Sequence, residues 1–428
     1  MISTHGHLAG HPPLGSVDTG GQVVLVLQLA QKLAQLGYQV DIWTRLFDGQ
    51  RKVEPINSRV RILRMSCGGA SFLAKEALAD HMQEWSDRAL AYITKHRLEY
   101  QFVHSHYWDG GLAGIRVAAA LKVPHVHTPH SLGRWEQRLM ARDPAPAKET
   151  GTQDKAFLAR ITAEENIYRA SDAVVATTPT QAELLVTEYH VQENKIRVIP
   201  AGYDDNRFFP VGTTLRSALR KKLGLQGKVI FALGRLTANK GYDLLIDAFP
   251  FVARRDAEAV LHLAIGGTAM TAGERALLVD LQQRAANTGY AQRIRFSPSI
   301  DDHELPDYYR AADLFVLPSR YEPFGMTAIE AMASGTPTVV TVQGGLHAAL
   351  SYGRHAMSAD PFDSMDLGLT IVTALRDVPL RDRLARMGAH QARSLFTWTA
   401  IAHQLIAVVE APRHAAKMEL VAPLALAG

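Results

Sequence analysis

Short, continuously apolar runs alternate with longer stretches of helical periodicity along nearly the whole chain, and this alternation constrains the fold most. A strand that is apolar on both faces belongs to a parallel sheet, and the intervening helices supply the cover. In the first half the runs are 39–44, 60–65, 102–105, 125–127, 173–177 and 196–199. In the second half they are 229–233, 260–265, 294–296, 314–317 and 338–342. The stretch 22–36 carries Val23, Val26, Leu27, Ala30, Leu33 and Ala34 on one helical face, and Gly37 follows where a helix end favours positive φ. Met1-Ile2-Ser3 reads as the stub of a further strand, shorter than the usual run of about five or six residues, so a few residues are expected to be missing before it.

At 428 residues the chain is expected to hold about two to four domains. The stretch 200–210, bounded by Pro200 and Pro210 and rich in polar residues, reads as a linker between two halves built on the same logic. The expected class is α/β, with two Rossmann-like doubly wound domains facing each other across a cleft, since ligands bind beyond the carboxyl ends of parallel strands. The boundaries are placed at 1–205 and 206–394, with 395–428 a terminal helical segment packing back on the N-terminal domain and 398–410 its clearest helix. No repeat of solenoid length or low-complexity tract interrupts the pattern.

Composition narrows the function classes. Lys and Arg number 46 against 42 Asp and Glu, an excess of +4 with no block of like charge, which argues against a nucleic-acid partner. Cys67 is the single cysteine, so neither an intramolecular disulfide nor a cysteine-rich zinc site can form. No apolar run approaches the length of a membrane span and residues 1–20 lack an apolar signal core, so a cytoplasmic protein without membrane insertion is expected.

Four motifs carry chemistry. Asp18-Thr19-Gly20-Gly21-Gln22 opens the first helix, and adjacent glycines before free helix N–H groups suit a diphosphate; neither the dinucleotide G-x-G-x-x-G nor the P-loop lysine pattern is present. The bland alternative is a tight strand-to-helix loop. His104, His106, His125, His127 and His130 cluster on two strand ends. His104 and His106 share a face and could chelate zinc, but no acidic third ligand completes a pattern, and His130, leaving a strand into a glycine-containing loop, is the cleft candidate. Gly234-Arg235-Leu236-Thr237-Ala238-Asn239-Lys240-Gly241 follows a strand, and its two cations suit a departing diphosphate better than bulk solvent. Glu322-Pro323-Phe324-Gly325-Met326-Thr327 continues to Glu330, so one carboxylate can bind sugar hydroxyls while the other reaches a ribose, with Gly344-Gly345 a further backbone contact for an anion. The same two carboxylates could be the acid/base pair of a glycosidase; the nearby cations favour a nucleotide leaving group.

With these motifs in order, the chain resembles the retaining, metal-independent GT-B glycosyltransferases, and within them the sucrose-phosphate synthase group. The matching pieces are Asp18 to Gln22, Lys75-Glu76, 104–111, 128–133, 234–241 and 322–330. The resemblance implies that Gly20 and Gly21 pack against the donor diphosphate, His130 bonds the transferred sugar, and Arg235 and Lys240 hold the diphosphate. It further implies that Glu322 binds donor hydroxyls with the amides of Phe324, Gly325, Met326 and Thr327, that Glu330 binds the ribose, and that Lys75 and Arg160 grip an acceptor phosphate. Arg134-Trp135-Glu136 replaces a common Asn-Lys pair and, with Asn239 to Asp243, resembles the mannosylfructose-phosphate branch. GDP-mannose and fructose 6-phosphate are then the expected substrates, with sucrose-phosphate synthesis from UDP-glucose or ADP-glucose the alternative. No cofactor or metal is expected, and a separate phosphatase is expected downstream. Rivals are a nucleotide-sugar epimerase on the same fold, a non-catalytic nucleotide-sugar binder and a zinc hydrolase.

Overall fold

In the computed structural model, which describes residues 1–12, 20–73, 75–140, 150–266, 270–342 and 345–419, two α/β sheets form, parallel but for one edge strand of the first. The first contains β1 (Val40–Leu46), β2 (Val53–Pro55), β3 (Val60–Ser66), β4 (Val103–His106), β5 (His125–Thr128), β6 (Ala173–Ala176) and β7 (Ile196–Val198). Its two parts, ordered β1-β3-β2 and β4-β5-β6-β7, are joined by the chain's first residues. Ile2 bridges Trp43 and Ser105 in parallel, its N–H donating to the His104 carbonyl at 2.8 Å and its carbonyl accepting from His106 N–H at 2.9 Å. The stub is therefore a central strand, from which the order runs outward in both directions.

The second sheet contains β8 (Lys228–Gly234), β9 (Ala259–Ile265), β10 (Ile294–Ser297), β11 (Leu314–Leu317), β12 (Thr338–Thr341) and β13 (Met357–Ala359). Its order is β10-β9-β8-β11-β12-β13, every described pair parallel, which is the doubly wound order with its reversal between β8 and β11. β11 and β12 are buried at every residue, as strands covered on both faces must be. The apolar runs locate most strands to within a residue or two. The two that escape are edge strands: β2, antiparallel to β3, is exposed and ends in Pro55, and β13 is only Met-Ser-Ala. Neither offers an apolar run to read.

After β7 the chain passes along Ala201 to Phe208 and meets its own later segment. Tyr203 N–H donates to the Phe396 carbonyl at 2.9 Å, and a Cβ on Gly202 would lie 2.6 Å from the Trp398 ring. The helix Trp398–Glu419 then lies on Gly21–Gln35 of the first sheet, where the Tyr38 hydroxyl donates to Glu410 at 3.2 Å. Among the described residues no helix is long and apolar enough to cross a membrane.

Candidate active site

Both sheets reverse their strand order at the carboxyl ends facing a common cleft, and the loops at these reversals supply its walls. From the second sheet come the loop after β8 (Arg235 to Lys240) and the loop after β11 (Tyr321 to Gly325). From the first come His5 after the central stub, Gly20 to Gln22 at the start of the following helix, Tyr107 after β4, and His130 and Ser131 after β5. The main cavity has a volume of about 570 Å³. It is continuous through Gly20, Gly21, Arg235, Lys240, Met326 and Thr327 with a chamber of about 190 Å³ closed by Phe208, Ile300, Glu330 and Trp398.

The donor-side groups named from sequence converge here. A Cβ on Gly20 would lie 3.3 Å from Arg235 Nε, and one on Gly21 3.3 Å from Met326 Sδ, so the glycines let the two walls meet. Gly20 caps its helix and has no side chain to occupy the first-turn N–H groups, the groups that suit an anion. Arg235, half-buried, has no ion pair or side-chain hydrogen bond among the described residues, whereas Lys240 Nζ donates to Glu322 Oε2 at 2.5 Å. Ser319 also donates to that oxygen, at 3.2 Å. The two loops are stitched by Asn239 Nδ2 to the Tyr321 carbonyl at 3.1 Å and by the Arg320 guanidinium on Asp243 at 2.8 and 2.7 Å. Phe324 is buried, while Gly325, Met326 and Thr327 line the cavity at the N-terminus of the helix Met326–Ala333. Glu330 faces the smaller chamber and accepts from the Tyr309 hydroxyl at 3.0 Å; burial pushes its pKa up to about 7.

His130 has φ of 62°, a turn that brings its ring beside His106, with Nε2 3.0 Å from His106 Nδ1. Burial pushes its pKa down to about 3, so the ring is neutral at pH 7. Among the described residues His106 Nε2 is buried without a partner, and an orphaned N–H costs more than an orphaned lone pair. The proton therefore sits on His106 Nδ1 and is donated to His130 Nε2, which leaves His130 Nδ1–H as the donor for the cleft. The other clustered histidines are committed to hydroxyls: His104 to Thr128 at 2.8 Å, and His125 and His127 to Ser105 at 2.7 and 2.8 Å. Among the described residues no group of three or more His, Cys, Asp or Glu side chains could hold a metal ion.

The two residues expected at an acceptor phosphate lie apart from the donor-side groups or outside the described side chains. Arg160 is buried behind Glu136 rather than forming the cavity wall, and all three of its nitrogens are engaged. The Lys75 side chain lies outside the described residues, as do Asp18, Thr19 and Gly344. Gly345 does not present its N–H to an anion; it donates to the Glu322 carbonyl at 2.7 Å, and a Cβ there would lie 1.8 Å from the Pro323 oxygen.

Sequence reasoning missed a dyad. Asp109, fully buried, accepts from Thr4 Oγ1 at 2.5 Å and from His5 Nδ1 at 2.9 Å, while His5 lines the cavity. Burial alone would raise the Asp109 carboxyl, but His5, Thr4 and the Gly110 N–H hold it below the usual carboxylate range. The carboxylate holds a proton on His5 Nδ1 and so fixes the orientation of the ring that lines the cavity. The signal available was positional: His5 follows the central stub and Asp109 follows β4, the two strands flanking the reversal. Tyr321 was also missed; its hydroxyl accepts from Leu132 N–H at 3.2 Å and its ring meets Trp135 edge-on, tying the His130 loop to the opposite wall.

Two Rossmann-ordered sheets closing on a cleft with helix N-termini, unpaired and paired cations and two carboxylates define a GT-B glycosyltransferase. Residues 216–391 match the family described as "Glycosyl transferases group 1", and residues 19–207 match "Glycosyltransferase Family 4". The chain belongs to the group 1 glycosyl transferases. It is 55% identical over 410 residues to the mannosylfructose-phosphate synthase of Agrobacterium fabrum, covering 96% of this chain and 90% of that one. It is 33% identical over 416 residues to the D-inositol 3-phosphate glycosyltransferase of Xylanimonas cellulosilytica, covering 95% of each. The sucrose-phosphate synthase of Thermosynechococcus elongatus superposes with a TM-score of 0.84 at 29% identity, covering 97% of this chain and 98% of that one.

Proposed function

We propose that the protein is a retaining hexosyltransferase that moves mannose from GDP-mannose to fructose 6-phosphate, giving mannosylfructose phosphate. The observation that carries the substrate pair is the 55% identity to a mannosylfructose-phosphate synthase along 96% of the chain. Sucrose-phosphate synthesis from UDP-glucose or ADP-glucose is the second reading, favoured by the likeness to the Thermosynechococcus enzyme. The product keeps its phosphate, so a phosphatase on a separate chain would consume it, and we assign the reaction to the cytoplasm.

The donor diphosphate lies against Gly20, Gly21, Arg235 and Lys240, with the ribose on Glu330 and the hexose on Glu322 and His130. The acceptor hydroxyl approaches the anomeric carbon from the face that the diphosphate leaves. The C1–O bond to phosphate breaks, the C1–O bond to the acceptor forms, and the acceptor's proton passes to the departing phosphate oxygen. Two fixed cations stabilise the charge growing on that oxygen, and neutral His130 donates a hydrogen bond to the sugar without adding charge beside it. In this reading the two cations serve the leaving group with no metal or cofactor.

Nucleotide release from GDP-mannose, UDP-glucose, ADP-glucose and GDP-glucose, each with and without fructose 6-phosphate in chelator, tests all of this. Release from GDP-mannose that depends on fructose 6-phosphate is expected. Release without acceptor dependence from every donor would withdraw the acceptor, and activity restored only by divalent metal would withdraw the metal-free reading.

A further inference from the structure

Arg160 meets two carboxylates of different kinds. Glu164, 2% exposed, accepts from Arg160 Nε at 2.7 Å and also from Gly133 N–H and the Tyr189 hydroxyl, so it is built into the fold. Glu136 is 26% exposed, stands on the helix Gly133–Met140 and lines the cleft. The only described hydrogen bond to its carboxylate is from Arg160 Nη1, at 2.8 Å. Arg160 Nη2 donates to Ser131 Oγ at 2.7 Å, and Ser131 also lines the cleft. Towards the cleft the guanidinium meets Glu136, Ser131 and the ring of Tyr107, whose centroid lies 4.9 Å from its central carbon, and of these Glu136 is the one carrying a carboxylate.

We infer that Glu136 is an exchangeable counterion: its carboxylate occupies Arg160 while the cleft is empty, gives way to the phosphate of the acceptor, and returns when the product leaves. This rests on the proposed sugar-phosphate acceptor and adds to it a residue that sets how strongly that phosphate is held. A phosphate monoester carries more charge and more acceptor oxygens than a carboxylate, so it can take over Nη1. A neutral hydroxyl offers the guanidinium less than Glu136 already does and leaves the pair intact. Because the product keeps its phosphate, an uncovered Arg160 would hold product as tightly as substrate; a returning carboxylate weakens both.

Glu136→Gln keeps the shape and removes the competing charge, and Glu136→Asp weakens the contact by drawing the carboxylate back. Both are expected to lower the KM for fructose 6-phosphate, by about fivefold for Glu136→Gln, with the KM for the nucleotide sugar unchanged. Binding of inorganic phosphate, followed by thermal shift with the donor site saturated by GDP or UDP, is expected to tighten by a similar factor. Unchanged or weaker phosphate binding in both folded variants overturns the inference, whatever their turnover. A wild-type protein that never couples nucleotide release to fructose 6-phosphate refutes the acceptor assignment instead, and the phosphate titration still decides the role of Glu136.

Discussion

Glu330 links stability to function in a way that one substitution separates. Its carboxyl takes a hydrogen bond from Tyr309 and otherwise faces the nucleoside-sized chamber. Burial raises its pKa from an ordinary 4.5 to about 7; the Tyr309 hydrogen bond opposes the rise, Asp302 adds to it, and Arg207 opposes it. The folded protein therefore holds a proton that the unfolded chain releases between these two values. Stability from this group is complete below pH 4.5 and is lost as pH rises through about 7. At 1.36 kcal/mol per pH unit the loss is about 3 kcal/mol. Glu330→Gln keeps an acceptor for Tyr309 and cannot ionise. It is expected to be more stable than the wild type by up to about 3 kcal/mol at pH 8 and by about 1 kcal/mol or less at pH 5, read from urea unfolding. Function moves the other way. The ionised carboxylate binds a ribose diol far better than the acid does, so wild-type kcat/KM for the donor should fall about tenfold per pH unit below pH 7. The variant should show a low, flat profile. Equal stability of the two proteins at pH 8, or an acid limb that persists in Glu330→Gln, would refute the reasoning.

Lys240→Ala is expected to lower kcat by about 10²–10³-fold in the nucleotide-release assay while the protein stays folded; near-normal turnover would remove Lys240 from the leaving-group site. Asp109→Asn retains the shape of the buried carboxylate but removes the charge that orients the His5 ring, so kcat/KM in the nucleotide-release assay should fall about tenfold. Unchanged kinetics in the folded variant would remove the dyad from the working of the site. Gly345→Ala places a methyl 1.8 Å from the Pro323 oxygen and must move the Glu322 loop. It should cost about 1–3 kcal/mol of stability and raise the donor KM, both measurable on the purified variant.

The parts of the fold that were legible are those where burial acts on both faces of a strand. Leu314–Leu317 is read without error because a fully covered strand admits only apolar residues. Val53–Pro55 is invisible because an exposed edge strand is specified by its partner β3 rather than by its own side chains. The loops after β8 and β11 were legible because close backbone approach demands glycine and an anion demands cations, and both leave local marks. The wall supplied by the first sheet was read less fully. His5 and Asp109 are 104 residues apart, and their meeting depends on strand order. Glu136 looks like an ordinary charge on a short helix until Arg160 is placed behind it.

The cations at and behind the cleft are held in ion pairs, with Arg235 the exception among the described residues. Lys240 rests on Glu322, Arg160 on Glu136 and Glu164, and Arg207 on Asp302 at 2.8 Å. In the proposed complex the diphosphate engages Arg235 without displacing a counterion. Drawing Lys240 to the phosphate then releases the Glu322 carboxylate, which in the proposed complex turns to the hydroxyls of the hexose. The two halves of one ion pair thus come to hold the two groups joined by the bond that breaks. Neither half can be tuned alone: a cation without Glu322 would be held less firmly in place, and Glu322 without Lys240 would be an ionised group on a half-buried loop with Ser319 as its described partner. This coupling gives a physical reason for the lysine of the β8 loop and the first glutamate of the β11 loop to occur together, 82 residues apart in the chain and 2.5 Å apart in the fold.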